Sequence, residues 1–144
     1  MKKLLIPIVI LFIAVYIGWS QFNSPNYSVG LTDQNNTALS IAFDERKSGV
    51  QTEGNGIVIK ILPDDNDGSR HQRFILKLHS GQTLLIAHNI DLAPRLSTLR
   101  EGDVVAFYGE YEWNSKGGII HWTHHDPSGR HVPGWLKYNG QTYQ

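Results

Sequence analysis

The chain has 144 residues, a formal net charge of zero, seven histidines and no cysteine. This length accommodates one domain of ordinary size and a short additional segment. The lack of cysteine excludes disulfide bonds, thiolate metal sites and cysteine nucleophiles, so that any metal ion must be bound by imidazole and carboxylate groups. The balanced charge argues against a basic nucleic-acid groove that extends over the surface.

An apolar segment near the N-terminus, Leu4 to Trp19, follows two lysines and contains no charged residue. This pattern predicts that residues 1–22 are a membrane anchor or a signal peptide, whose lysines stay in the cytoplasm. Its sixteen residues would form a helix of about 24 Å, shorter than a hydrocarbon core of about 30 Å. Length therefore does not separate the two interpretations, although the aromatic residues Tyr16 and Trp19 favour an uncleaved anchor.

Either interpretation places the rest of the chain beyond the inner membrane, anchored in the bacterial periplasm or secreted after cleavage. Lys2 and Lys3 are the only charged residues of segment 1–22, so the remainder has a net charge of −2. Residues 23–48 are predicted to be a polar linker, in which Thr37 to Lys47 form a short helix. The domain itself is predicted to span residues 49–144.

Residues from Gly49 to Thr123 follow the two-residue periodicity of β-strands, with turn residues at regular intervals. Strong turn signals occur at residues 63–68 and at Ser80-Gly81. An insert from Asp91 to Leu99 is predicted to contain a short helix, with Pro94 in its first turn. The predicted strands are Ile57 to Leu62, the alternating segment 71–79, Thr83 to Asn89, Val104 to Trp113 and Ile119 to Thr123.

Five strands with an insert between the third and the fourth resemble the OB fold, a small closed or partly open Greek-key barrel. The phrase GDVVAFYGEYEW, residues 102–113, is typical of the start of a fourth OB strand. Asn139-Gly140 indicates an additional C-terminal hairpin, because this pair suits a type I′ turn. The predicted fold class is therefore all-β: a five-stranded OB-like barrel with a short helical insert and a C-terminal hairpin, preceded by an N-terminal hydrophobic helix. Another small barrel or a two-sheet sandwich remains the alternative.

Four of the seven histidines lie in the eleven residues from His121 to His131, which read HWTHHDPSGRH. The HWTHHDP motif resembles a family of short exported bacterial proteins whose function is uncharacterised. The resemblance covers about Glu53 to Gln144. It implies kinship and the position of a site, whereas the chemistry has to be argued from the residues.

The clustered imidazole and carboxylate groups are candidate metal ligands. On a continuous strand, histidines at positions i and i+4 lie roughly 13 Å apart, too far for one ion with bonds of about 2.0 Å. The strand must therefore bend near Pro127 and Gly129 for a site to form. A set of three such ligands with an open position suits catalytic zinc or another divalent metal. The candidate ligands are His121, His124, His125, Asp126 and His131.

Two other interpretations of this cluster stay open. In the first, the histidines and Asp126 form a hydrogen-bonded network that only fixes a loop. In the second, one histidine oriented by Asp126 acts as an acid or base without a metal. Arg130 in the same loop binds a phosphate or carboxylate group, or forms a salt bridge with Asp126.

A second candidate ligand surface lies on the second predicted strand. His71, Arg73 and Lys77 share a strand face that carries no acid, where OB barrels bind oligonucleotides and oligosaccharides. The alternative is a solvated strand face, which the net charge of −2 favours. His88, at a strand end beside the insert, is a further candidate for ligand binding or for fixing a loop.

Two classes of function follow from these patterns. The first is an envelope-anchored OB-like binding module, attached to the membrane through residues 4–22, with a metal-binding C-terminal loop. Its ligand would be a polyanion or a saccharide, and the signal for nucleic acid is weak. The second is a metal-assisted hydrolase of phosphodiesterase or nuclease type that uses the histidine cluster. The sequence favours the first class, because it pairs no nucleophile with a base.

Overall fold

The computed structural model describes the backbone of residues 29–144 and the side chains of residues 36–144. This part of the chain contains one α-helix, α1 (Val29–Asp44), followed by seven β-strands. The strands are β1 (Val50–Asp65), β2 (His71–Lys77), β3 (Thr83–Asn89), β4 (Val104–Glu112), β5 (Ile119–His121), β6 (Trp135–Tyr138) and β7 (Gln141–Tyr143). The predicted membrane segment, residues 1–22, lies outside the described residues. No helix within residues 29–144 has both the length and the apolar character needed to span a bilayer.

Five strands are hydrogen-bonded in a continuous ring. β1 pairs with β2, β2 with β3, β3 with β5, β5 with β4, and β4 returns to β1. Only the β3–β5 pairing in this ring is parallel. Closure depends on the length of β1, because residues 50–57 pair with β4 whereas residues 57–65 pair with β2. The ring is closed unevenly, since β3 and β5 share only the pairs Leu85–Ile119 and Ile86–Ile120.

Strands β6 and β7 extend the sheet beyond the ring. β6 pairs with β4, and β7 pairs with β6. The turn between them has Asn139 at a φ of 49° and Gly140 at a φ of 74°, as a type I′ turn requires. The predicted C-terminal hairpin and the all-β class are confirmed.

The core lies inside the ring and is built from alternate residues of the strands. In β4, Val105, Phe107, Gly109 and Tyr111 are buried while the residues that alternate with them, from Ala106 to Glu110, are partly exposed. Fully burying one side chain of this kind stabilises the fold by roughly 1.5–3 kcal/mol. Gly54 of β1 lets the ring of Phe107 approach its backbone, because a Cβ atom there would lie 2.8 Å from that ring.

Helix α1 begins earlier than predicted and belongs to the domain. The sequence predicts a helix from Thr37 to Lys47 within a linker, but the helix begins at Val29, inside the stretch expected to be a tether. Leu39 and Ala42 are buried in the core of the ring. Phe43 stacks on Trp113, whose indole Nε1 donates a hydrogen bond to the Phe43 carbonyl at 3.0 Å. The polar composition concealed the apolar contacts that fix this helix.

The insert between β3 and β4 contains turns and no helix, so the helix predicted at Asp91 to Leu99 is wrong. A buried side chain of β2 replaces the missing helical hydrogen bonds. The Gln72 amide nitrogen donates to the Leu96 carbonyl at 3.0 Å, and its oxygen accepts from the Leu96 amide at 2.9 Å. Leu96 is itself in the core. These two bonds compete with helix formation for the same backbone groups.

His88 of β3 is fully buried and connects the insert to the segment that follows β5. Its Nε2 lies 3.1 Å from the Pro94 carbonyl oxygen, and its Nδ1 lies 2.8 Å from the Thr123 hydroxyl. Because a carbonyl can only accept, Nε2 carries the proton, and Nδ1 accepts from the hydroxyl. Burial lowers the pKa of His88 to about 4, although the Pro94 hydrogen bond opposes this shift.

We predict that His88 destabilises the fold in acid. The pKa of its imidazole is about 4 in the folded protein, against 6.5 for an unperturbed histidine. The unfolded chain therefore binds the proton first, and the free energy of unfolding falls as the pH drops from 6.5 to about 4. The full loss from this residue is roughly 3 kcal/mol. Urea unfolding of the full-length protein across this pH range, followed by tryptophan fluorescence, measures it.

The matched variant for this measurement is His88→Gln, which keeps a donor and an acceptor but does not titrate. It should start less stable at neutral pH and lose about 3 kcal/mol less than the wild type on acidification. Equal losses in the two proteins would show that His88 does not control acid stability.

Candidate functional site

The C-terminal motif folds around Trp122, where strand β5 has just ended. Trp122 has a φ of 54°, a left-handed conformation that is uncommon for a residue with a bulky side chain. Its indole stacks on the His131 imidazole, with centroids 4.0 Å apart and planes inclined by 8°. The rings of His124 and His121 lie 5.5 Å and 6.4 Å from it. The indole therefore contacts or adjoins three histidines of the motif.

The loop formed by residues 126–133 returns to the sheet at Gly134. The Gly134 amide donates a hydrogen bond to the His124 carbonyl at 3.0 Å. A Cβ atom at this position would overlap the carbonyl oxygens of Trp122 and Tyr108. Only glycine fits here, and this close approach fixes the base of the loop against β4.

Asp126 organises the loop itself. Its carboxylate accepts hydrogen bonds from the Ser128 hydroxyl and from the backbone amides of Ser128, Arg130 and His131. These bonds, first among them those from Ser128, hold the pKa of Asp126 far below its usual value. Arg130 directs its Nε to the Ser128 hydroxyl at 3.1 Å. The geometry of Asp126 thus supports the loop-fixing interpretation of this residue.

His124 and His125 also have local roles. His124 is buried, and its Nδ1 donates to the carbonyl oxygen of His125 at 2.7 Å. The side chain of His125 is exposed to solvent. Of the five predicted metal ligands, the structure brings His121 and His131 to one place, beside a carboxylate that the sequence analysis did not consider.

A group of metal-ligand type lies on β4 and β5. Glu110 and Glu112 alternate along β4 and therefore share its outer face, and His121 is paired with Glu110 across the strands. His121 Nε2 lies 3.4 Å from Glu110 Oε1 and 3.8 Å from Glu112 Oε1. Ligand atoms of all three lie within 4.8 Å of one another. Among the side chains of residues 36–144, this is the only set of three such residues close enough for one ion.

Two buried nitrogen atoms beside Glu110 have no hydrogen-bond partner. One is Nε2 of His121, and the other is Nε2 of Gln51, which lies opposite Glu110 on β1. A buried polar atom that is left unpaired costs about 1–3 kcal/mol. A cation between His121 and the carboxylates would use the free lone pair of the imidazole and remove part of this cost.

His131 lies on the other side of Glu110. Its Nε2 donates to Glu110 Oε2 at 2.8 Å, and its Nδ1 donates to the Val132 carbonyl at 2.8 Å. Because both partners are acceptors, the ring carries both protons and a positive charge. Burial alone would lower the pKa of His131, but the hydrogen bonds to Glu110 and to the Val132 carbonyl raise it.

Glu110 is the residue that joins the two histidines. Partial burial alone would raise its pKa, but hydrogen bonds with His131 and Glu112, and the nearby His121, lower it. One carboxylate oxygen faces His121 while the other binds His131. A carboxylate in this arrangement coordinates a cation through one oxygen while a charged imidazole orients the other.

The basic residues predicted as a ligand surface share the outer face of β2, as its alternation requires. His71 Nδ1 lies 2.8 Å from the Ser69 carbonyl, and Arg73 donates to the Pro63 carbonyl at 3.0 Å. Lys77 is exposed at the end of the strand. These contacts fix two of the three side chains locally, and a ligand on this face stays a prediction.

Glu110 and Glu112 were not predicted as ligands, although the sequence carries a signal for them. The segment Glu110-Tyr111-Glu112 lies in a predicted strand, and the buried position of Tyr111 places both carboxylates on the outer face. The sequence did not show that His121 lies opposite Glu110, because that register depends on the order in which the strands pair.

Comparison with protein-family models matches residues 24–144 to the family described as "Protein of unknown function (DUF3465)". Comparison with curated proteins found no match. The matched region begins before helix α1 and includes the ring, the hairpin and every residue of the group around Glu110. Because this match covers most of the chain, the protein belongs to the DUF3465 family, which confirms the expectation of an uncharacterised family.

Proposed function

We propose that the protein is a divalent-cation-binding module, with the ion held by Glu110, Glu112 and His121. The observation that carries the proposal is the buried, unpartnered Nε2 of His121, which lies 3.4 Å and 3.8 Å from one oxygen of each glutamate. Bonds of about 2.1 Å allow two ligand atoms of one ion to lie up to about 4.2 Å apart. Both distances are therefore compatible with a shared ion.

The donor atoms suggest which ion would bind. Imidazole and carboxylate groups both occur as ligands in zinc sites, and carboxylates also suit manganese. Three protein ligands leave at least one position for water or for a bound molecule. Zinc is therefore the first ion to test.

The charge balance of the site also supports a cation. The carboxylates of Glu110 and Glu112 bring two negative charges into the group. The positive charge of His131 offsets only one of the two negative charges. The remaining negative charge would attract a cation, while His131 would continue to hold the second oxygen of Glu110.

The finer features of the fold and the location belong to the same proposal. The ring order β1-β2-β3-β5-β4, with its parallel β3–β5 pairing, supports an OB-type barrel. The apolar segment 4–22, preceded by Lys2 and Lys3, supports attachment of this barrel to the outer side of the inner membrane. Together they describe an envelope-anchored binding module.

We predict that the full-length protein binds one zinc ion. Glu110→Gln and His121→Ala should each weaken binding at least about tenfold, a change of about 1.4 kcal/mol. Each substitution removes one of three ligands. Zinc at about 100 times its dissociation constant should raise the free energy of unfolding of the wild type by about 2.7 kcal/mol. Titration calorimetry and urea unfolding with and without zinc provide the two measurements.

His125→Ala is the matched control, because His125 is an exposed histidine of the same motif outside the proposed ligand set. It should bind zinc as the wild type does. Loss of zinc in His125→Ala together with full binding in Glu110→Gln would reject this site and favour ligands in the loop. Circular dichroism of each variant separates loss of a ligand from loss of the fold.

The second candidate function is a metal-assisted phosphodiesterase. The observation that favours it is the position of His131, whose two ring nitrogens lie 2.8 Å from the Val132 carbonyl and from Glu110 Oε2, beside the proposed ion. An ion with an open position would activate water near neutral pH, and His131 would donate a proton to the leaving group.

We predict that the zinc-loaded protein hydrolyses bis(p-nitrophenyl) phosphate and that His131→Gln loses at least about a hundredfold in rate. A rate equal to that of protein-free zinc would reject this function.

The location has its own test. We predict that a C-terminal tag on the protein is digested by protease added to spheroplasts, because the domain lies outside the inner membrane. An uncleaved anchor keeps the protein in the membrane fraction, whereas a cleaved signal peptide releases it with a shortened N-terminus. A tag that protease reaches only after lysis would place the domain in the cytoplasm.

A further inference from the structure

A cleft lies between helix α1 and two turns of the ring. One wall is the helix, at Ser40 and Asp44, and the other wall consists of the turn at Ser80-Gly81 and the turn at residues 115–117. This part has a volume of about 460 Å³, within the usual range for small-molecule sites. A recess beside Ser40 and Ser80 continues along the helix to Asn36. The two parts share these serines and form one cleft.

Two residues that line this cleft each have a buried acceptor oxygen that lacks a donor. Asn36 is 7% exposed, and its Oδ1 makes no hydrogen bond. Gln82 Oε1 is also buried and unpaired, while its Nε2 donates to the Gly117 carbonyl at 2.8 Å. That bond fixes which end of the Gln82 amide is oxygen. Both oxygens require a donor, and leaving each unpaired costs about 1–3 kcal/mol.

The walls of the cleft are held in place before any ligand binds. Leu39 and Ala42 attach the helix to the core, and Trp113 donates to the Phe43 carbonyl. The opposite turn is fixed by Thr83, whose hydroxyl donates to the Lys116 carbonyl at 3.1 Å. A site built this way loses little conformational freedom on binding.

The residues that line the cleft favour a saccharide over a polyanion, the two ligand classes predicted from the sequence. Asp44 and Lys116 balance each other, and His79 is the only other titratable residue among those that line the two parts. A polyanion would bring more negative charge to Asp44 and to acceptor oxygens that need donors. A neutral sugar offers hydroxyl donors for these oxygens, and its C–H face suits the apolar ring of Phe43, which also lines the cleft.

We propose that this cleft binds a neutral saccharide, whose hydroxyl groups donate hydrogen bonds to Asn36 Oδ1 and Gln82 Oε1. Ser40 and Ser80 line both parts of the cleft. The Ser40 hydroxyl donates to the Asn36 carbonyl and would accept from the ligand, whereas the Ser80 hydroxyl accepts from the Gln82 amide and would donate. The site is separate from the group around Glu110, so the saccharide proposal does not depend on cation binding.

The test is titration calorimetry of the full-length protein with three neutral trisaccharides, cellotriose, maltotriose and chitotriose, and with a heparin hexasaccharide as the anionic probe. We expect at least one neutral trisaccharide to bind more tightly than the heparin fragment. Asn36→Ala and Gln82→Leu should each weaken this binding by about five- to tenfold, since each removes one acceptor. Asn36→Asp, which keeps an acceptor, should weaken binding less than Asn36→Ala.

Gln141→Ala is the matched control, because it removes an exposed amide on β7 and should leave saccharide binding unchanged. Circular dichroism and the melting temperature show whether each variant is folded. Three outcomes would overturn the proposal: no neutral trisaccharide bound at about 10 mM, tighter binding of the heparin fragment, or unchanged affinity in folded Asn36→Ala and Gln82→Leu. Zinc titration of the same proteins reports on the cation site separately.

Discussion

The structure depends on the double pairing of strand β1, which hydrogen-bonds to β4 over its first half and to β2 over its second. Ile57 lies at the crossing point, opposite Val104 on one side and Lys77 on the other. Gly56 permits this crossing, because a Cβ atom there would lie 2.8 Å from the Lys77 carbonyl oxygen. Once β1 is paired on both sides, the register of β4 is fixed, and the face of every residue on it follows.

The candidate site is a consequence of that register. Glu110 lies opposite Gln51 on one neighbouring strand and opposite His121 on the other. A slip of one residue would turn Glu110 into the core and expose Phe107 or Tyr111, which are fully buried. The burial of these aromatic rings therefore also determines which polar groups meet on the outer face. His131 completes the group from the loop, held there by its stacking on Trp122.

Much of the fold was predictable because local physics decides it. The period-two alternation of β2 and β4 and the Asn139-Gly140 turn depend on nearest neighbours, and the sequence indicated them correctly. The start of helix α1 and the conformation of the insert were predicted wrongly, because distant contacts decide them. The helix is stabilised by Leu39 inside the ring, whereas the Gln72 side chain takes the backbone hydrogen bonds of Leu96 that a helix would have used.

The candidate site shows the same limit, because residues that are neighbours in the HWTHHDP motif contact different parts of the structure. The side chain of His121 points outward to Glu110. The side chain of Thr123 is fully buried and points inward to His88. The left-handed conformation of Trp122 separates these two directions and sends the following residues into the loop. The motif therefore has several separate roles: His121 faces the carboxylates, Thr123 fixes the barrel interior, Asp126 shapes the loop and His131 returns to Glu110. The chain leaves the barrel after β5 and returns to β4 within a short loop, so residues with these different roles lie close together in the sequence. For that reason a dense histidine motif identified the correct region of the surface, while the carboxylates that complete the group came from a strand nine or more residues earlier.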